Sequence, residues 1–108
     1  MIHLLRYQDT SGNVPFTQWF RSLRDKQAAA RISMRLRRLQ QGNFGDCKPV
    51  GEGVRELRVH VGAGYRIYFA RHGATVVLLL CGGSKASQKR DIEQAQQFWV
   101  QWKKEQRS

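Results

Sequence analysis

Residues 56–70, ELRVHVGAGYRIYFA, read as two short strands joined by a turn at Gly62-Ala63-Gly64. Side chains alternate between faces along a strand. Leu57, Val59, Val61, Ile67 and Phe69 therefore form one apolar row, the core face of a sheet. Glu56, Arg58, His60, Arg66 and Tyr68 fall on the other face. That second set is unlike an ordinary solvated face of Thr, Ser and Lys. It combines two arginines with groups able to carry a proton.

Working outward from this hairpin gives the rest of the fold. Upstream, IHLLRYQ (2–8) has the composition of a first strand, and DTSGN (9–13) is a turn cluster. Pro15 suits the first turn of a helix, and Phe16, Trp19, Phe20 and Leu23 at i, i+3, i+4 and i+7 form its buried stripe. A second helix runs through RDKQAAARISMRLRRLQQG (24–42), with Ala29, Ile32, Leu36 and Leu39 as its buried row and Gly42 as its C-terminal cap. The two helices read as an antiparallel hairpin on one sheet face. NFGDCKPVGEG (43–53) reads as a loop. Downstream, His72-Gly73 is a turn, and Val76–Cys81 is apolar on both faces, so it belongs inside the sheet. GGSKASQ (82–88) reads as a loop, and a last helix from about Arg90 carries Ile92, Ala95, Trp99 and Trp102 at helical spacing. The order β-α-α-β-β-β-α is α+β in class: a small, mainly antiparallel sheet with a helical hairpin on one face and a C-terminal helix.

The chain has 108 residues, the length of one domain. No run approaches the ~20 apolar residues of a membrane span, and the N-terminus is too short and polar for a signal peptide. Two cysteines, Cys47 and Cys81, make no disulfide framework, and a cytoplasmic protein is expected. Nineteen Lys and Arg against eight Asp and Glu give a formal charge of +11. A field of that sign favours a polyanion, nucleic acid or the ribosome, over a membrane, for which no basic helix offers a free apolar stripe.

Guanidinium groups bind phosphate bidentately and stay charged, which suits charge growing in a transition state. Arg58 and Arg66 are placed for that role, or for pairing with Glu56. Basic residues crowd this half of the chain (Arg55, Arg58, Arg66, Arg71, Lys85, Lys89 and Arg90), with Glu56 the only acid between residues 54 and 90. Too few carboxylates are nearby to neutralise them, so phosphate contact is the expectation. His60 shares the face of Arg58 and is a candidate general base or acid. Lys85, after Gly82-Gly83, is a proton carrier or a phosphate anchor. On the second helix Arg24, Arg31, Arg35 and Arg38 line one side, an RNA-docking stripe, a solvated face or the site of an acidic partner. No C-x-x-C and no His pair at ligand spacing occur, so no metal is expected. The cysteines read as packed thiols and the two tryptophans of the last helix as core.

PFTQWFRSLRD, RLRRLQQGNFGDCKPVGEGVRELRVHVGAGYRIYF and LLLCGGSKASQKRDIEQA together resemble the RelE/ParE superfamily of toxins from bacterial toxin–antitoxin modules, in the HigB-like branch of addiction module killer proteins. The combination NFGD-x-KPVGEGV-x-ELR, GYR-x-Y and LLCGG-x-K-x-x-Q-x-x-DI carries the resemblance, which spans about Pro15 to Trp99. It implies one RelE-like domain over 1–108 that acts without metal or cofactor. Ribosome-dependent relatives cut mRNA by attack of the ribose 2′-OH on the adjacent phosphate. On that pattern Arg58 and Arg66 stabilise the developing charge, Lys85 anchors or activates the nucleophile, and His60 or Tyr68 moves a proton. Lys48, Arg55, Arg71, Lys89, Arg35 and Arg38 would hold RNA. The implied partners are an antitoxin with a helix-turn-helix DNA-binding domain, the ribosome and mRNA. ParE-type relatives share the fold but inhibit DNA gyrase, and a non-catalytic RNA-binding module is a third reading.

Overall fold

The structure, a computed structural model, describes residues 1–107. Five strands form one sheet: β1 (His3–Arg6), β2 (Cys47–Pro49), β3 (Val54–Val59), β4 (Tyr65–His72) and β5 (Val76–Ser84), in the order β1-β5-β4-β3-β2. β1 runs parallel to β5, and the other neighbours are antiparallel. The apolar run of β5 thus lies inside the sheet, between β1 and β4, as its composition requires.

Helices α1 (Pro15–Ser22) and α2 (Lys26–Gln40) cover one face. Phe16, Ile32, Leu36 and Leu39 pack there on Leu57, Val59, Ile67, Phe69, Val77 and Leu79. Local chemistry sets the helix ends. The Asp25 carboxylate accepts from the Ala28 N–H at 3.1 Å and caps α2. At the other end the Asn43 N–H reaches the Arg38 carbonyl at 2.8 Å and the Gly42 N–H reaches Leu39 at 3.0 Å. This double closure needs the left-handed backbone of Gly42, φ +87°. The buried residue at the start of α2 is Ala28, not Ala29, which is half-buried. The expected row drifted there because 3.6 residues per turn leaves two neighbouring positions near the stripe edge.

The other face is covered by α3 (Gln88–Arg107), whose Ala95 and Trp99, with Ile92, Phe98 and Trp102, pack on Val54, Tyr68, Ala70, Leu78 and Leu80. Trp99 and Trp102 stack with centroids 5.5 Å apart, and His72 meets Trp102 edge-on at 5.0 Å. A register shift between Tyr68 and Phe69 puts both Leu80 and Cys81 of β5 into this layer.

Two segments read as loops belong to the sheet. Cys47–Pro49 pairs with Arg55–Leu57 as the edge strand β2. Gly82-Gly83-Ser84 continues β5 and pairs with Tyr65–Ile67, followed by a short 3-10 turn, Lys85–Ser87. Helix α3 therefore starts at Gln88 rather than Arg90. The glycine pair misled because its composition suggests a turn, whereas the requirement is space. A Cβ on Gly82 would lie 2.3 Å from the Trp19 ring, and one on Gly83 would lie 1.8 Å from Asp91 Oδ2. Between α1 and α3 the strand has room for bare backbone only. Among the described residues, no helix is long and apolar enough to cross a membrane.

Candidate functional site

The hairpin register sets Arg58 directly opposite Arg66, and the adjoining row runs Lys48, Glu56, Tyr68 and Cys81 across four strands. Two like charges facing each other across a strand pair repel. Glu56 offsets that repulsion. It is 0% exposed, and its carboxylate gathers donors from three elements. Oε1 accepts from Arg58 Nε at 3.2 Å, while Oε2 accepts from Tyr68 Oη at 3.0 Å and from Gln88 Nε2 at 2.9 Å. Arg66 Nε lies 3.6 Å from Oε2, an ion pair too long for a hydrogen bond. Pairing with Glu56, the alternative to phosphate contact, is thus made by both arginines. The single nearby acid serves both, because the alternation of β3 puts it beneath them.

Burial pushes the Glu56 carboxyl upward, but the hydrogen bonds of Gln88, Arg58 and Tyr68 and the charge of Arg66 outweigh it and hold it below its ordinary value. A carboxyl lowered on folding stabilises the folded state above its unfolded value, near 4.5, and that contribution is lost as pH falls through the lower folded value. Urea midpoints measured from pH 7 down to pH 3 should therefore fall more steeply for the native chain than for Glu56→Gln. Equal slopes would show that the carboxylate is not the group responsible.

Where α3 stops covering this face, a cleft of about 490 Å³ opens, lined by Arg58, His60, Tyr65, Arg66, Lys85 and the 62–64 turn. Arg58 is 29% and Arg66 13% exposed at the side chain. Arg58 is held by the hydrogen bond from its Nε, whereas Arg66 Nε keeps only the longer ion pair and is buried without a hydrogen-bond partner; Arg66 Nη1 reaches the cleft wall, where a Cβ on Gly64 would lie 3.8 Å from it. The Lys85 N–H donates to the Gly64 carbonyl at 2.9 Å, pinning the turn to the end of β5 and leaving the lysine side chain exposed at the rim. His60 Nε2 lies 2.6 Å from Asp46 Oδ2. That contact, with the charges of Arg58, His60 and Arg35 behind it, holds the Asp46 carboxyl below its usual range against the opposing effect of desolvation.

Arg58, His60, Arg66 and Lys85 are thus brought to one cleft, and Tyr68 is not. Its ring is buried under α3, it donates to Glu56, and burial together with that carboxylate drives its phenol far above its ordinary range. The picture of Tyr68 as a proton carrier on an open face is corrected by the helix that closes over it. Lys48, opposite Glu56 and exposed, lies on the cleft's side of the sheet, and Lys89 is exposed in the first turn of α3. Arg55 and Arg71 do not share that side. Arg55 contacts Cys47 Sγ at 3.9 Å, and Arg71 lies over the Phe44 ring at 4.9 Å and donates to the Ala74 carbonyl. Arg35 ties α2 to the hairpin by donating to the carbonyls of Arg58 and Phe44. Arg31, Arg35 and Arg38, with Met34, line a second cleft of about 440 Å³ that also borders His60. Sequence reasoning gave no role to Asp46 or Gln88, although both lie inside the quoted motifs. Among the described residues, no three His, Cys, Asp or Glu side chains form a set able to hold a metal ion.

A family model described as "Phage derived protein Gp49-like (DUF891)" matches residues 18–99, which include α2, every strand of the hairpin and the first half of α3. An uncharacterised protein of Haemophilus influenzae is 48% identical over 80 residues, covering 74% of this chain and 81% of that protein. The matched span contains every residue that lines the main cleft. The chain belongs to the Gp49-like phage-derived family, a toxin-like family related to RelE and the addiction module killer proteins.

Proposed function

We propose that this protein is the toxin of a type II toxin–antitoxin module and cleaves mRNA on translating ribosomes. One observation carries the reading. Two arginines, a lysine and a histidine converge on one cleft in a chain of formal charge +11. In this mechanism the scissile phosphate sits between Arg58 and Arg66. The ribose 2′-OH loses its proton as it attacks the neighbouring phosphorus, the P–O5′ bond breaks, and a cyclic phosphate and a 5′-OH result. The guanidinium groups meet the charge that grows on the phosphoryl oxygens, in the place a metal ion takes in other nucleases. His60, oriented by Asp46, accepts the 2′-OH proton, solvent water gives the leaving O5′ its proton, and Lys85 anchors the substrate at the rim. Lys48 and Lys89 extend the basic surface beside the cleft, and Arg31 and Arg38 extend it past His60. An antitoxin with a helix-turn-helix domain would neutralise the toxin by covering these charges.

The test is a reconstituted translation system programmed with a defined mRNA, run beside a gyrase supercoiling assay. Cleavage of the message only when ribosomes engage it is the expected result. An intact message would overturn the nuclease reading, and blocked supercoiling would replace it with the gyrase one.

A further inference from the structure

We infer that Glu56 is the positioning residue of the cleft: its buried carboxylate holds the two guanidinium groups side by side so that both meet one phosphate. The inference rests on the nuclease reading above and assigns the site a residue that never touches substrate. A carboxylate that merely neutralised surface arginines would sit at the surface, where its hydration is kept. This one is fully buried, which is tolerated only with several well-placed donors. Oε1 accepts the Nε–H of Arg58, while Oε2 holds the Arg66 guanidinium by charge alone, 3.6 Å from its Nε. The contacts are made through the inner nitrogen, so the terminal nitrogens are left for an anion. The same carboxylate is itself fixed by Tyr68 from β4 and Gln88 from α3. Without it, two like charges in register would swing apart. A displacement of about 1 Å in such a group costs on the order of 10²-fold in rate.

Charge and position predict opposite signs here, which makes the idea testable. Glu56→Gln removes a negative charge from beneath the cleft, so electrostatics alone would tighten RNA binding. Loss of positioning would slow the chemical step. In single-turnover mRNA cleavage on ribosomes, the folded Glu56→Gln protein should show kcat reduced about 10–100-fold with KM unchanged or lower. An unchanged kcat in the folded variant, checked by circular dichroism, would overturn the inference. Should Glu56→Gln fail to fold, Gln88→Leu keeps the carboxylate and both arginines and removes one donor. It should lower kcat several-fold at constant KM, and an unchanged kcat would overturn the inference. The arginine Nε–H resonances in ¹⁵N NMR give a readout free of any activity. That of Arg58 should be shifted and protected in the native chain by its hydrogen bond to Glu56, and should move to the exposed-arginine position in Glu56→Gln and part of the way in Gln88→Leu. A resonance that stays in place would overturn the proposal. A native chain without cleavage defeats the nuclease reading instead, and the resonances still decide the role of Glu56.

Discussion

Replacing Arg66 by alanine is expected to slow mRNA cleavage by ~10²–10³-fold, the usual cost of removing one group that stabilises transition-state charge. Arg66 is the more enclosed of the cleft's two arginines, 13% exposed against 29% for Arg58. Its charge is therefore less screened by water and worth more to a nearby phosphate. The substitution should leave the fold intact, because Glu56 keeps its hydrogen bonds from Arg58, Tyr68 and Gln88. Arg66→Lys should recover only part of the rate, since a lysine supplies charge without the planar fork of donors. The double variant with Arg58→Ala should fall short of the product of the single effects, because both arginines share Glu56 and one substrate anion. Single-turnover cleavage by folded variants is the measurement. A loss smaller than tenfold for Arg66→Ala would remove it from the catalytic role.

The largest effect on stability is expected at Phe16, whose replacement by alanine should cost about 3–5 kcal/mol. Phe16 is fully buried in the layer between the helical hairpin and the sheet. Its ring lies 5.9 Å from Phe20 in a stacked arrangement and 5.9 Å from Trp19, and the Arg6 guanidinium sits over it at 5.0 Å. Alanine would leave a void there, and the constraints on its neighbours limit how far it can close. Arg6 is held by Thr17 at 2.8 Å, and Trp19 is wedged against Gly82. Denaturant titration should show a lower midpoint at an unchanged slope. A change below about 1 kcal/mol would mean that the layer repacks freely around the void.

The class of the fold, the sandwiching hairpin and the interior position of β5 are legible in the sequence, because periodicity and apolar runs report burial directly. So is the shared face of Arg58 and Arg66, once the two apolar rows are matched on the core side. Three things were not legible. Periodicity says that a strand has a second face but not what covers it, so the burial of Tyr68 beneath α3 lay hidden. Arg55 and Arg71 stand among the residues expected to hold RNA, whereas Arg55 shares the parity of Leu57 and Arg71 that of Phe69. Parity alone would have separated both from Arg58 and Arg66. The contact of Gln88 with Glu56 spans 32 positions, which no local pattern encodes. Its one trace was a glutamine standing at a fixed offset from Lys85 in a recognisable motif. Gly82-Gly83 illustrates the opposite error, where composition suggested a turn and steric closeness was the cause.

The reach from Glu56 to Gln88 also sets an order in time. A ribosome makes all five strands before it makes residue 88, so the unfinished chain carries both arginines and their glutamate but lacks the donor from α3. The helix that seals Tyr68 is missing at that stage as well. The pair of guanidinium groups therefore takes its final posture only once α3 has been made and has packed on the sheet. A cleft assembled in a chain of formal charge +11 is thus completed by the docking of its last helix.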